Sequence, residues 1–169
     1  MPILETDRLI LRCWTNEDEA ACYAICSDPQ VMQYVADGGC WSREQTRQFI
    51  VEAIECQRRH GYCRWPLILK EGGELAGFCG FTPTAAGPEM GWRLASPHWG
   101  RGLATEAARA VLTYGFERLG FQRVTATVQS ANEPSRRIAE KLGMKLERTI
   151  QRNGREVLVF SISAPRRPE

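Results

Sequence analysis

Seven consecutive residues, Trp99-Gly100-Arg101-Gly102-Leu103-Ala104-Thr105, place two glycines directly ahead of a helical pattern. The first turn of a helix has backbone N–H groups with no intrahelical partner, and the helix dipole adds partial positive charge there. Glycines let the main chain approach a ligand closely, so the stretch suits a phosphate or pyrophosphate held by amides alone. A plain tight turn is the competing reading. No Gly-Lys-Ser/Thr follows, which excludes a Walker-type phosphate loop. Gly100-x-Gly102-x-x-Thr105 also lacks the third glycine of a dinucleotide fingerprint and has no early βαβ unit around it.

Covalent and metal chemistry are poorly represented. His60 and His98 are the two histidines, and neither sits in a context that suggests a Ser-His-Asp or Cys-His set. The seven cysteines include no Cys-x-x-Cys pair, although Cys22 with Cys26 and His60 with Cys63 lie close in sequence. Zinc would need four ligands in recognisable pairs. No metal is therefore expected, and the cysteines read as reduced thiols used as small core residues.

The elements that must position the glycine loop follow from periodicity and stop signals. Residues 8–13 alternate as a first strand, and Thr15 with Asn16-Glu17-Asp18 opens a helix that Asp28-Pro29 ends. Residues 31–41, with Asp37-Gly38-Gly39, read as a loop. Ser42 and Gln45 form a capping box for a second helix, which runs to about residue 59 and stops at Gly61. Residues 65–69 and 75–81 form a hairpin, residues 83–88 a loop, and residues 89–94 a strand in which Gly91 is a candidate bulge. A long helix then spans about 104–119, with Ala108, Val111, Leu112, Phe116 and Leu119 inward and Gly120 closing it. Residues 123–128 form a strand, Pro134 opens a short helix stopped by Gly143, and residues 145–151 and 156–163 pair around Asn153-Gly154. The order is β-α-α-β-β-β-α-β-α-β-β, an α/β chain of the α+β kind with a mixed sheet.

At 169 residues the chain fits one domain, expected over 1–164, with 165–169 as a flexible tail. Apolar residues at 43% and charged residues at 25% are ordinary globular values. A net charge of +2 gives no footprint for nucleic acid or an anionic membrane. The opening Met1-Pro2-Ile3-Leu4-Glu5-Thr6-Asp7-Arg8 carries acids where a signal peptide would be basic, and no run approaches the roughly 20 apolar residues of a membrane span. A soluble, cytoplasmic protein is expected.

Three spaced motifs carry a resemblance. They are Gly91-Trp92-Arg93-Leu94, then His98 through Ala107 with the glycine loop, then Asn132-Glu133-Pro134-Ser135-Arg136-Arg137-Ile138-Ala139-Glu140-Lys141-Leu142-Gly143-Met144. In this order they resemble the GNAT acyltransferase superfamily, and most closely its branch of ribosomal-protein N-terminal (alanine) acetyltransferases. Leu4-Glu5-Thr6-Asp7-Arg8-Leu9-Ile10-Leu11-Arg12 is also similar to that branch, so the resemblance covers nearly the whole chain. It implies a sheet parted in a V between the fourth and fifth main strands, residues 90–94 and 123–128. Acetyl-CoA would lie in that split as cosubstrate, paired along Met90, Trp92 and Leu94 in the manner of an added strand.

The resemblance also implies the site residues. Gly100, Arg101, Gly102, Leu103, Ala104 and Thr105 would hold the pyrophosphate, with Trp99 at a position where the family pattern has Arg or Gln. Asn132 would bond the pantetheine arm, and Arg137 or Arg136 would reach a cofactor phosphate. Ser135 would stand near the thioester sulfur as proton donor, because Ala139 occupies the place of a tyrosine found in some relatives. Asn132 and Ser135 equally suit helix capping. Glu89 is the leading base, acting through water, or else an ordinary strand-end acid; Thr127 stands where other relatives have a glutamate. Met32, Tyr34, Trp41 and Trp65 would wall an acceptor pocket or merely cover the core. The implied activity is direct acetyl transfer to a primary amine, of a protein N-terminus or a small molecule. A non-catalytic acyl-CoA sensor and a nucleotide-binding regulator are the alternatives, and dimers are common among similar proteins, so a homodimer is an expectation.

Overall fold

The computed structural model describes residues 1–166. Its core is one mixed sheet of eight strands in the order β1-β2-β3-β4-β5-β6-β8-β7. The strand expected at 8–13 is β2 (Leu9–Arg12), and a strand that was not expected, β1 (Pro2–Glu5), precedes it and pairs with it antiparallel. β3 (Arg64–Leu69), β4 (Leu75–Thr84) and β5 (Gly87–Leu94) continue antiparallel. β6 (Arg123–Gln129) lies parallel to β5, and β7 (Lys145–Arg152) with β8 (Arg155–Ser163) completes the far edge. That last hairpin turns at Asn153 and Gly154, both at positive φ, as the Asn-Gly pair predicts.

The helices divide between the two faces. α1 (Glu19–Cys26), α2 (Pro29–Met32) and α3 (Arg43–His60) cover one face. α4 (Leu103–Glu117) and α5 (Glu133–Lys141) cover the other. Alternation along β4 shows why: Phe78 meets Phe49 of α3 at 4.9 Å, whereas odd-numbered Phe81 lies beneath Gly115 of α4. The expected capping box of α3 forms, with Ser42 N donating to Gln45 Oε1 and Gln45 N to Ser42 Oγ, and Gly61 ends the helix in the left-handed region.

Three local expectations are corrected. The loop expected at 31–41 begins instead inside α2, because Asp28 caps a new helix through Gln30 N while Pro29 starts it. The loop expected at 83–88 is mostly strand: Pro83 pairs with Pro88, and β4 turns tightly from Thr84 to Gly87. Proline is tolerated there because β3 ends opposite Gly80 and β6 joins only from Glu89. Gly91 is no bulge, since the β4–β5 register runs unbroken from Gly77↔Leu94 to Thr84↔Gly87. Of the expected tail at 165–169, residues 167–169 lie outside the described residues.

Candidate active site

β5 and β6 share only two register positions, Glu89↔Thr125 and Met90↔Ala126. Beyond them the strands part. β6 continues to Gln129 against β8, while Gly91–Leu94 of β5 keeps β4 on one side and no strand on the other. The result is a V-shaped cleft of about 190 Å³, open to solvent and walled by residues of β5, β6 and α5.

The glycine loop closes the end of the same strand. Trp99 Nε1 donates to Leu94 O at 2.9 Å, folding the chain back on β5. Gly100 and Gly102 sit at φ +73° and +77°, which explains both glycines, as side chains there would be strained. The first helical amide with a partner is that of Glu106, donating to Gly102 O at 3.0 Å. Among the described residues, the amides of Gly100 to Thr105 donate to no backbone carbonyl outside the helix ladder, and they precede or open α4. Arg8 steadies the turn, donating to Arg101 O at 2.9 Å while pairing with Glu106. Such a run of orphaned donors at a helix N-terminus fits a phosphate group.

Residues of β5 alternate between the two sides of the cleft. Toward α4 and α5, Met90 and Leu94 are buried in the core, and Trp92 Nε1 donates to Ser135 Oγ at 3.3 Å. Ser135 N in turn donates to Asn132 Oδ1, so Asn132 caps α5 while lining the cleft. Toward α1–α3, Glu89 accepts from Thr127 Oγ1 at 3.4 Å and stands 3.7 Å from Arg64 Nη2. Arg64 reaches Glu89 by crossing Gly91: a Cβ there would lie 2.6 Å from its Cζ. Burial, then the nearby Arg93 charge, pushes the Arg64 guanidinium below its ordinary pKa. Arg93 lies between the rings of Trp41 and Phe78, 4.7 and 4.8 Å from their centroids, and donates to Cys26 Sγ. A hydrogen bond from Cys22, assisted by Arg93, draws the Cys26 thiol below its usual range and raises that of Cys22.

A family model described as the acetyltransferase (GNAT) domain matches residues 8–145. The chain belongs to the GNAT acetyltransferases. The N-acetyltransferase YoaA of Bacillus subtilis (strain 168) is 34% identical over 174 residues, covering 98% of each chain. The crystal structure of a GNAT-family acetyltransferase from Bacillus anthracis superposes with a TM-score of 0.84 at 29% identity, over 95% of this chain and 97% of that one. RimL, the ribosomal L7/L12 alpha-N-protein acetyltransferase, in complex with coenzyme A, shares the fold with a TM-score of 0.82 at 19% identity, over 97% and 98% of the two chains. As a GNAT protein, the chain is an acetyl-CoA-dependent N-acetyltransferase.

The structure gathers some of the expected residues of this GNAT chain and separates others. Glu89, Met90, Trp92, Asn132, Ser135 and Tyr34 all line the cleft. Met32 and Trp65 do not. Both are 0% exposed, Met32 at the end of α2, and Trp65 against Tyr114 with its Nε1 donating to Gln57. They are core residues because α2 and β3 turn those side chains inward. Trp41 supports Arg93 from below and packs on Phe49. Arg137 is exposed and paired with Glu133 one turn away, while Arg136 points inward with its Nε sealed and unpartnered. The thiols expected in the core are there at Cys22, Cys26, Cys63 and Cys79, but Cys13 and Cys40 are exposed. Among the described residues no three His, Cys, Asp or Glu side chains group as a metal site, and no helix is long and apolar enough to cross a membrane. Sequence reasoning passed over Arg64 and Arg93, whose place depends on cross-strand register rather than on neighbours in sequence.

Proposed function

We propose that this chain moves the acetyl group of acetyl-CoA directly to a primary amine, with no acyl-enzyme. The observation that carries the reading is the junction of two features: unpartnered amides at Gly100–Thr105 and the unpaired edge of β5 beside them. The amides would hold the pyrophosphate, and the edge from Gly91 to Leu94 would pair with the pantetheine arm as a strand would. Acetyl-CoA supplies an acyl group on a thioester, at the point where β5 and β6 diverge.

Three demands of the chemistry then fall on named groups. Glu89, directly or through a water, accepts a proton as the amine nitrogen bonds to the carbonyl carbon. A main-chain N–H of the free β5 edge donates to the oxyanion. As the C–S bond breaks, Ser135 Oγ–H gives its proton to the departing sulfur, with Trp92 Nε1 holding the hydroxyl oxygen; the serine then regains a proton from solvent, to which Glu89 releases the one it took. The products are an N-acetyl amide and the free thiol of CoA.

Gly102→Asp tests the cradle, since it puts negative charge and a strained side chain among the amides. Calorimetry should show acetyl-CoA affinity falling at least about 10-fold in a folded variant; an unchanged dissociation constant removes the site. Ser135→Ala should lower single-turnover transfer while leaving CoA affinity near wild type. CoA binding without product from any amine would mark a sensor rather than an enzyme.

A further inference from the structure

The α1–α3 side of the cleft holds more positive than negative charge at short range. Arg64, Arg93 and Arg152 all line it, and Glu89 is the carboxylate among the lining residues. Outside the cleft, Arg8, Arg12, Arg47 and Arg123 each meet an acidic side chain, while Arg109 and Arg155 are met by backbone carbonyls. In the cleft the matching is incomplete. Arg64 Nε is buried with no partner, and Glu89 is 3.7 Å from Arg64 Nη2, too far for a hydrogen bond. Arg93 has two aromatic rings and one sulfur around it and forms no ion pair among the described residues.

Holding two half-buried guanidiniums along one cleft wall is costly unless a counter-charge arrives. The fold makes room for this arrangement deliberately: Gly91 has no side chain where Arg64 crosses, and Trp41 with Phe78 clamps Arg93 in place. A carboxylate is the group whose two oxygens match a guanidinium fork. Resting on the transferase reading above, we infer that the amine acceptor itself carries a carboxylate, bound by Arg64 and Arg93 while its amine faces Glu89. The short Arg64–Glu89 separation limits the spacer: at roughly 1.5 Å per bond, one or two carbons fit between amine and carboxylate. The substrate class is an α- or β-amino acid.

The test compares each amino acid of a panel, β-alanine included, with its own carboxamide, reading initial rates of CoA thiol release. The carboxamides have the less basic amines and so offer more free base at neutral pH. A carboxylate preference therefore opposes intrinsic reactivity. The best carboxylate acceptor should exceed its amide by about 10²-fold in kcat/KM. Arg93→Gln should bring that ratio toward one, and Arg93→Lys should keep part of it. Because the ratio is internal to each variant, partial unfolding does not imitate the result. An amide accepted as well as its acid, or a ratio unmoved by Arg93→Gln, overturns the inference while leaving the transferase intact. O-phosphoethanolamine accepted better than β-alanine overturns it in favour of a phosphate. Transfer to no amine, with acetyl-CoA bound, overturns the underlying reading and this inference with it.

Discussion

Among the described residues Glu89 is the one acid that lines the cleft with its arginines, and its contacts define a sharp experiment. Glu89→Gln retains size and hydrogen bonding to Thr127 but cannot take a proton. It should lower kcat by about 10²-fold or more with little change in acetyl-CoA affinity, measured by steady-state thiol release. A kcat within a factor of about two of wild type would leave proton removal to solvent. At this scale the sequence was legible where local chemistry sets local geometry. The glycine loop reads locally as a turn ahead of a helix, whereas Asn132 and Ser135 were singled out by the resemblance, since as residues they equally suit helix capping. Arg64 was not legible, because it opens an otherwise apolar strand, and its role depends on Gly91 two strands away. Met32 and Trp65 misled for the opposite reason: an aromatic or a methionine near a loop gives no sign of which way its backbone will turn it.

At the scale of elements, the β4–β5 ribbon is what holds both sides of the cleft in register. Gly91→Ala would set a methyl group 2.6 Å from Arg64 Cζ. The guanidinium must move, at a cost of about 1–3 kcal/mol in stability, and acceptor KM should rise while acetyl-CoA affinity holds. Thermal melting and separate titrations of the two substrates check this. Helix ends were the most readable part of the fold, since Ser42, Gly61, Pro134 and Gly143 signal them by local chemistry. Strand ends were less so. The turn at 84–87 was hidden by prolines that usually break strands, and β1 was missed because four residues carry too little pattern to separate from the next strand.

Across the whole molecule, the N-terminal ribbon is tied to the rest by charge. Arg12 donates to both oxygens of Asp18 at 2.7 and 2.8 Å, and Arg8 with Thr6 holds Glu106 of α4. Burial opposes ionisation of both carboxyls, yet these donors outweigh it and hold each below the ordinary carboxylate range. A depressed folded pKa stabilises the protein at neutral pH, and that contribution fades as pH drops below about 4. Urea midpoints should therefore fall between pH 7 and pH 3, and Asp18→Asn, costing about 2 kcal/mol at pH 7, should flatten the decline. The parted strands have a kinetic consequence of their own. With Ser135 reached from one face of the sheet and Arg93 from the other, the gap is a doorway with two thresholds rather than a dead-end room. Donor and acceptor enter by separate doors and meet inside, so neither has to depart before its companion comes in. Initial-rate plots against both substrates should then cross, and parallel lines would mean that visitors take turns.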